Sequence, residues 1–142
     1  MKFLKAYVGV LVVFVIFDAV WLGVIAVDFY AETIGHLMAE NVNWGAAAVF
    51  YVVYIGGIAY FVSIPAAATG DLKKAALNGV LFGIIAYGTY DLTNFATLRD
   101  WPLKVVIYDM IWGGFITASA AIGGFLATRR SAAAEAQNGS RG

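Results

Sequence analysis

The chain has 142 residues, 62% of them hydrophobic and only 13% charged, with zero formal net charge and a mean hydropathy of +0.81. A soluble domain carries about a quarter charged residues, so most of this surface is expected to face lipid, and no basic run interleaved with aromatics points to nucleic acid as a partner. The lack of cysteine excludes disulfides, iron–sulfur ligation and thiolate zinc sites, and the single histidine excludes bis-histidine haem ligation within one chain; no cofactor is expected.

The N-terminus, Met1-Lys2-Phe3-Leu4-Lys5, opens like a signal peptide. The apolar run that follows outlasts an h-region of about 7–15 residues and shows no clean small-residue cleavage site. It reads instead as a first membrane span, Phe3–Val27. Three further stretches reach the ~20 residues a span needs: Trp44–Ile64, Ala75–Leu98 and Leu103–Thr128. Pro65 is expected to close the second. Asp71 is expected to cap the third and Asp100 the fourth, with Pro102 in the first turn of the fourth. Between the first two spans, Tyr30, Ile34, Leu37 and Met38 repeat at helical spacing, with Glu32, His36 and Glu40 on another face. That pattern predicts a short amphipathic helix lying on the membrane surface.

The predicted fold is therefore all-α: a polytopic membrane protein of four transmembrane helices in an antiparallel bundle, with an amphipathic surface helix between helices 1 and 2. Residues 1–130 form this domain, and residues 131–142, small and polar, are expected to be a disordered tail. Lysine and arginine cluster at Lys2, Lys5, Lys73, Lys74, Arg129 and Arg130, which predicts that both termini are cytoplasmic. Trp44 and Trp101 then fall at the outer interface. Gly79-x-x-x-Gly83, Gly56-Gly57 and Gly113-Gly114 are read as places where helices approach closely.

Three aspartates, Asp18, Asp91 and Asp109, lie inside these spans. A carboxylate in hydrocarbon is costly, so it marks function or a specific buried partner. Helix direction and a rise of about 1.5 Å per residue place all three at one depth, roughly 5–9 Å to the outer side of the bilayer centre. A shared depth predicts one polar site, with Asp91, Asp109 and Asp18 as candidate catalytic groups. Tyr87, Asp91 and Asn94 share a stripe, and Thr93 adds a hydroxyl. Trp21 and Trp112 each lie three residues beyond an aspartate, and Tyr51 and Tyr54 lie at similar depth on the second span. Tyr87, Asn94, Thr93, Trp21, Trp112 and Tyr54 are the candidate substrate-binding residues. A short echo also appears: Phe17-Asp18-x-x-Trp21-x-Gly23-x-Ile25 matches Tyr108-Asp109-x-x-Trp112-x-Gly114-x-Ile116. It reads as a shared local packing solution in preference to an inverted duplication.

Glu32, His36 and Glu40 have spacing that could hold a metal, and Asp91 with Asp109 could take a hard cation. A solvated helix face and a metal-free acid layer explain the two sets better, and no metal site is assigned.

The stretch from Phe82 to Thr97, with its Tyr90-Asp91-Leu92-Thr93-Asn94 core, resembles an uncharacterised family of small bacterial four-helix membrane proteins, a domain of unknown function. Trp101-Pro102, Asp109-x-x-Trp112-Gly113 and Asp18-x-x-Trp21-Leu22 fit the same family. The resemblance covers nearly all of the chain but the tail. It implies four membrane helices and an unknown activity, and no catalytic assignment; the location expected for the chain is a bacterial inner membrane.

Three functions fit these residues. The first is binding or processing of a small amphiphile or lipid drawn from the outer leaflet, with one protonated and one ionised carboxyl dividing acid and base roles if chemistry follows. The second is proton-coupled export of a small molecule by a homodimer, since membrane acids often relay protons. The third is an accessory subunit of a larger membrane complex. Membrane lipid is the expected partner in all three.

Overall fold

The computed structural model describes the backbone of residues 1–139 and the side chains of residues 1–129. The described residues are all-helical, with no strand among them. Helix α1 (Lys2–Val20) continues through a π-helical turn, Trp21–Ile25, closed by the Ala26 N–H on the Trp21 carbonyl at 2.7 Å. Helix α2 (Val27–Ile34) follows and ends in a 3-10 turn, Gly35–Leu37. Helix α3 (Trp44–Gly57) is capped by Asn43, whose side chain accepts from the Ala46 N–H at 3.1 Å. It passes through a second π-helical segment, Ile58–Ser63, into α4 (Ile64–Thr69). Helices α5 (Leu72–Thr97) and α6 (Leu103–Gly139) complete the chain.

Three helical stretches are long and apolar enough to cross a membrane: Lys2–Ile25, Trp44–Thr69 and Leu103–Arg129. Helix α5 has the length, at 26 residues. It is not among the three, because Lys73, Lys74, Asn78, Asp91, Asn94 and its threonines lower its hydropathy.

Pro65 does not close the second stretch. Helix continues to Thr69 and stops at Gly70, whose φ of 68° suits a residue without Cβ. Proline lacks an N–H and its ring collides with the carbonyl four residues back, and the wide turn just ahead of Pro65 absorbs that mismatch. Asp71 does cap α5, accepting from the Lys74 N–H at 3.1 Å. Asp100 does not cap α6. It takes φ 60° in the turn, and the first helical carbonyl is that of Pro102, which receives the Val105 and Val106 N–H groups. The backbone stays helical over the alanine-rich 131–139, where a disordered tail was expected. Residues 140–142 of that expected tail lie outside the described residues.

Helix α6 is the axis of the molecule, packing against α1, α4 and α5. Two glycine contacts set its spacing. A Cβ on Gly79 would lie 2.7 Å from the Ala118 Cα, and one on Gly83 would lie 2.1 Å from the Gly113 carbonyl oxygen. The predicted small-residue face is therefore where α5 meets α6. A second, unpredicted contact brings Gly9 onto Gly123, where a Cβ would stand 2.6 Å from the carbonyl oxygen. Gly56 and Gly57 meet only ordinary neighbours. The core lies between α1, the second stretch and α6, around Val10, Phe14, Ile55, Ile58 and Ile116.

Helix α2 is present as expected but lies on protein. Phe29, Tyr30 and Ile34 pack on Trp101, Val105 and Val106 at the start of α6, while Leu37 and Met38 remain exposed. Trp101 is thereby buried under α2 with its indole N–H unpartnered, so it is no interfacial anchor, whereas Trp44 is exposed.

Candidate functional site

Asp18, Asp91 and Asp109 are all buried, and all lie toward the end of the molecule that carries α2. The α1 π turn immediately after Asp18 places Trp21 against Trp112 of α6. The two indoles stack with centroids 4.4 Å apart and planes 8° from parallel. The Trp21 indole donates to the Tyr30 hydroxyl at 3.1 Å, and that hydroxyl donates to Asp109. Asp18 accepts from the Tyr51 hydroxyl of α3. The Trp112 indole N–H interacts with Asp18 without completing a hydrogen bond of ordinary geometry.

The echo in the sequence thus has a structural outcome. Each aspartate receives one tyrosine hydroxyl, and each indole turns toward the aspartate of the other helix. Burial holds the Tyr30 phenol above the ordinary phenol range, and its hydrogen bond to Asp109 raises it further. Tyr30 therefore remains a protonated donor at physiological pH.

Asp91 differs from the other two. It is fully buried, neither of its oxygens has a hydrogen-bond partner, and it stands within electrostatic reach of Asp109. Buried polar groups are nearly always satisfied, so an unsatisfied carboxyl calls for an explanation.

Three cavities adjoin the acids: one of about 270 Å³ lies between Val15, Asp18, Ala19, Leu22 and Tyr51, and the other two share Phe50 and Tyr87 as walls. One of these two, of about 170 Å³, is lined by Asp18, Trp21, Tyr30, Tyr51, Tyr87 and Trp112 together with Phe14, Leu22 and Phe50. The other, of about 330 Å³, is lined by Phe50, Ala86, Tyr87, Tyr90 and Asp109. Its opening has a structural cause. Helix α3 packs on α1 and hardly at all on α5 or α6, whereas the π-helical segment and α4 below it pack on both. The Tyr54 side chain bridges the gap at its lower edge, with its hydroxyl 2.8 Å from that of Thr117 and its ring stacked on Phe82. Tyr87 owes its position to Gly113, where a Cβ would lie 2.2 Å from the tyrosine Cγ. Behind the tryptophan pair, an apolar cleft of about 570 Å³ runs between Ile25, Phe29, Tyr108 and Phe115.

Of the residues singled out from sequence, Asp18, Trp21, Tyr87 and Trp112 meet in one cavity and Asp109 lines the next, whereas Asp91 and Tyr54 line neither. Thr93 is not brought to the site. It is exposed, and its hydroxyl bonds back to the Thr89 and Tyr90 carbonyls of its own helix. Asn94 is half-buried and lines neither cavity. Sequence reasoning missed Tyr30, Phe50 and Tyr90 as site residues. Tyr30 carried a signal, since it leads the apolar stripe of α2.

A helical molecule with long apolar stretches and buried carboxylates, phenols and indoles is a membrane protein with a polar interior. The chain belongs to the family described as "Predicted membrane protein (DUF2177)", whose model matches residues 3–126. No curated protein and no solved structure matches the chain.

Proposed function

We propose that this protein binds, or binds and processes, a small amphiphile or lipid taken from the outer half of a bacterial inner membrane. In this reading α5 is a fourth span, about 39 Å long at 1.5 Å per residue, in an antiparallel bundle with both termini cytoplasmic. The glycine contacts along α5 and α6 support that span, and the lysine and arginine distribution supports the orientation. The α2 end then faces outward.

The observation that carries the reading is the side opening between α3 and α5. Its walls, Phe50, Ala86, Tyr87 and Tyr90, are largely apolar, and a buried carboxylate, Asp109, lies among them. An apolar entrance with a few fixed polar groups suits a ligand with a tail and a polar head. Asp109 and Asp18 form the polar end and Tyr87, Trp21 and Trp112 shape it, while Asp91 and Tyr54 stand beside the cavities without lining them.

The test is native mass spectrometry of the protein released from lipid nanodiscs, wild type beside Asp109→Asn. A discrete bound molecule that is lost in the variant is the expected result. Folded wild-type protein that carries no bound molecule would overturn the reading.

A further inference from the structure

The smaller cavity has a composition that narrows the ligand. Seven of its nine lining residues are aromatic, from Phe14 through Trp112, and one of the other two is Asp18. Aromatic faces present the negative side of a ring quadrupole. Two indoles and three phenols around one small space attract positive charge and repel negative charge. Asp109 lines the adjoining cavity, and Asp91, fully buried and without a partner, stands close to Asp109.

Among the described residues, none supplies a cation to this layer. No lysine, arginine or histidine occurs in 6–35, 37–72, 75–98 or 105–128. Lys104, at the mouth of α6, stands 5.2 Å over the Phe29 ring and 6.0 Å from that of Tyr108. The partners of Asp18 and Asp109 are phenols and indoles, which stabilise a carboxylate without neutralising it. In a low-dielectric layer a carboxyl without a counter-charge either takes up a proton or pairs with an incoming cation.

We infer that the 170 Å³ cavity holds the ammonium head of a cationic amphiphile, with Asp18 as counter-charge and Trp21, Tyr30, Tyr51, Tyr87 and Trp112 as an aromatic cage. The volume fits that division of labour. Pockets for whole drug-sized ligands run to about 300–1,000 Å³, so a space of 170 Å³ takes a head group and leaves the tail to the side opening. The inference rests on the amphiphile reading above and adds the charge of the head.

The test uses the full chain carrying Trp44→Phe and Trp101→Phe in neutral-lipid nanodiscs, so that the fluorescence of Trp21 and Trp112 is the signal, with empty nanodiscs correcting for partition. Three probes of equal chain length are titrated: dodecyltrimethylammonium, dodecanol and dodecyl sulfate. The expected result is binding of the ammonium probe at least about tenfold tighter than the alcohol, with the sulfate weakest. Asp18→Asn is expected to bring the ammonium probe to parity with the alcohol. Equal saturable binding of alcohol and ammonium with Asp18 intact would overturn the cationic head and leave the amphiphile reading standing. No saturable binding of any probe would overturn both. The comparison with Asp18 intact decides the matter even if Asp18→Asn fails to fold.

Discussion

Trp21 and Trp112 stack face to face, 4.4 Å apart and 8° from parallel, although 90 positions separate them along the chain. The pair joins the two aspartate motifs into one unit and forms a wall common to the small polar cavity and the larger apolar cleft. Stacked aromatic pairs contribute about 0.5–1.5 kcal/mol beyond their area burial. A double-mutant cycle with Trp21→Leu and Trp112→Leu, read by unfolding in mixed detergent, is expected to return a coupling energy in that range. Strict additivity would mean that the stack contributes nothing to stability.

Asp91 and Asp18 are expected to respond in opposite directions to the same change. Asp91→Asn removes an ionisable group that faces Asp109 without a partner but leaves a buried amide equally unsatisfied, so stability should rise only slightly, by less than about 1 kcal/mol. Asp18→Asn replaces the carboxylate that accepts from the Tyr51 hydroxyl with a neutral, weaker acceptor, so stability should fall by about 1 kcal/mol. Thermal unfolding in one detergent measures both. A loss of stability in Asp91→Asn would show that Asp91 has a structural partner.

Tyr30 ties α2 to α6 through a single hydroxyl. Tyr30→Phe keeps the ring and leaves both Asp109 and the Trp21 indole without their shared partner. The expected result is faster hydrogen exchange across α2, with α5 and α6 unchanged. Protection in α2 equal to that of wild type would show that packing on Trp101, Val105 and Val106 holds the helix unaided.

Gly83 and Gly23 make a matched pair. At Gly83 a Cβ would lie 2.1 Å from the Gly113 carbonyl, so Gly83→Ala must separate α5 from α6 and should cost about 1–3 kcal/mol. At Gly23 nothing lies within 4 Å, and Gly23→Ala should stay within about 0.5 kcal/mol of wild type.

The orientation is open to a direct labelling experiment, because the chain has no cysteine of its own. Glu40→Cys and Asp100→Cys are expected to react with a membrane-impermeant maleimide on intact cells, and Lys73→Cys only after the membrane is breached. The reverse pattern would invert the proposed topology.

Hydropathy and helix rise encode position along a helix, and that was legible. The helical stretches, the burial of Asp18, Asp91 and Asp109, and the close contact at Gly79 and Gly83 all follow from spacing. Rotation about a helix axis was less legible. A π-helical turn accommodates one extra residue, which rotates everything beyond it by about 100° relative to an uninterrupted α-helix, and nothing in Trp21–Ile25 announces such a turn. Tyr30 was read as facing lipid because an amphipathic stripe specifies an apolar neighbour without saying whether that neighbour is a membrane or another helix. Thr93 was drawn into the site by its place beside Asp91, yet its hydroxyl is satisfied by its own backbone, a common local bond for threonine in a helix.

The widened turn at Ile58–Ser63 fixes the alignment of one half of a helix against the other. Removing a single residue from it would restore regular α-helical winding and turn Trp44–Gly57 by about 100° relative to α4. Tyr51 would then leave Asp18, Tyr54 would leave Thr117, and Phe50 would no longer line either cavity. The site therefore depends on a residue count at a point in the chain where no side chain touches an acid, and length changes there should be far less tolerated than substitutions.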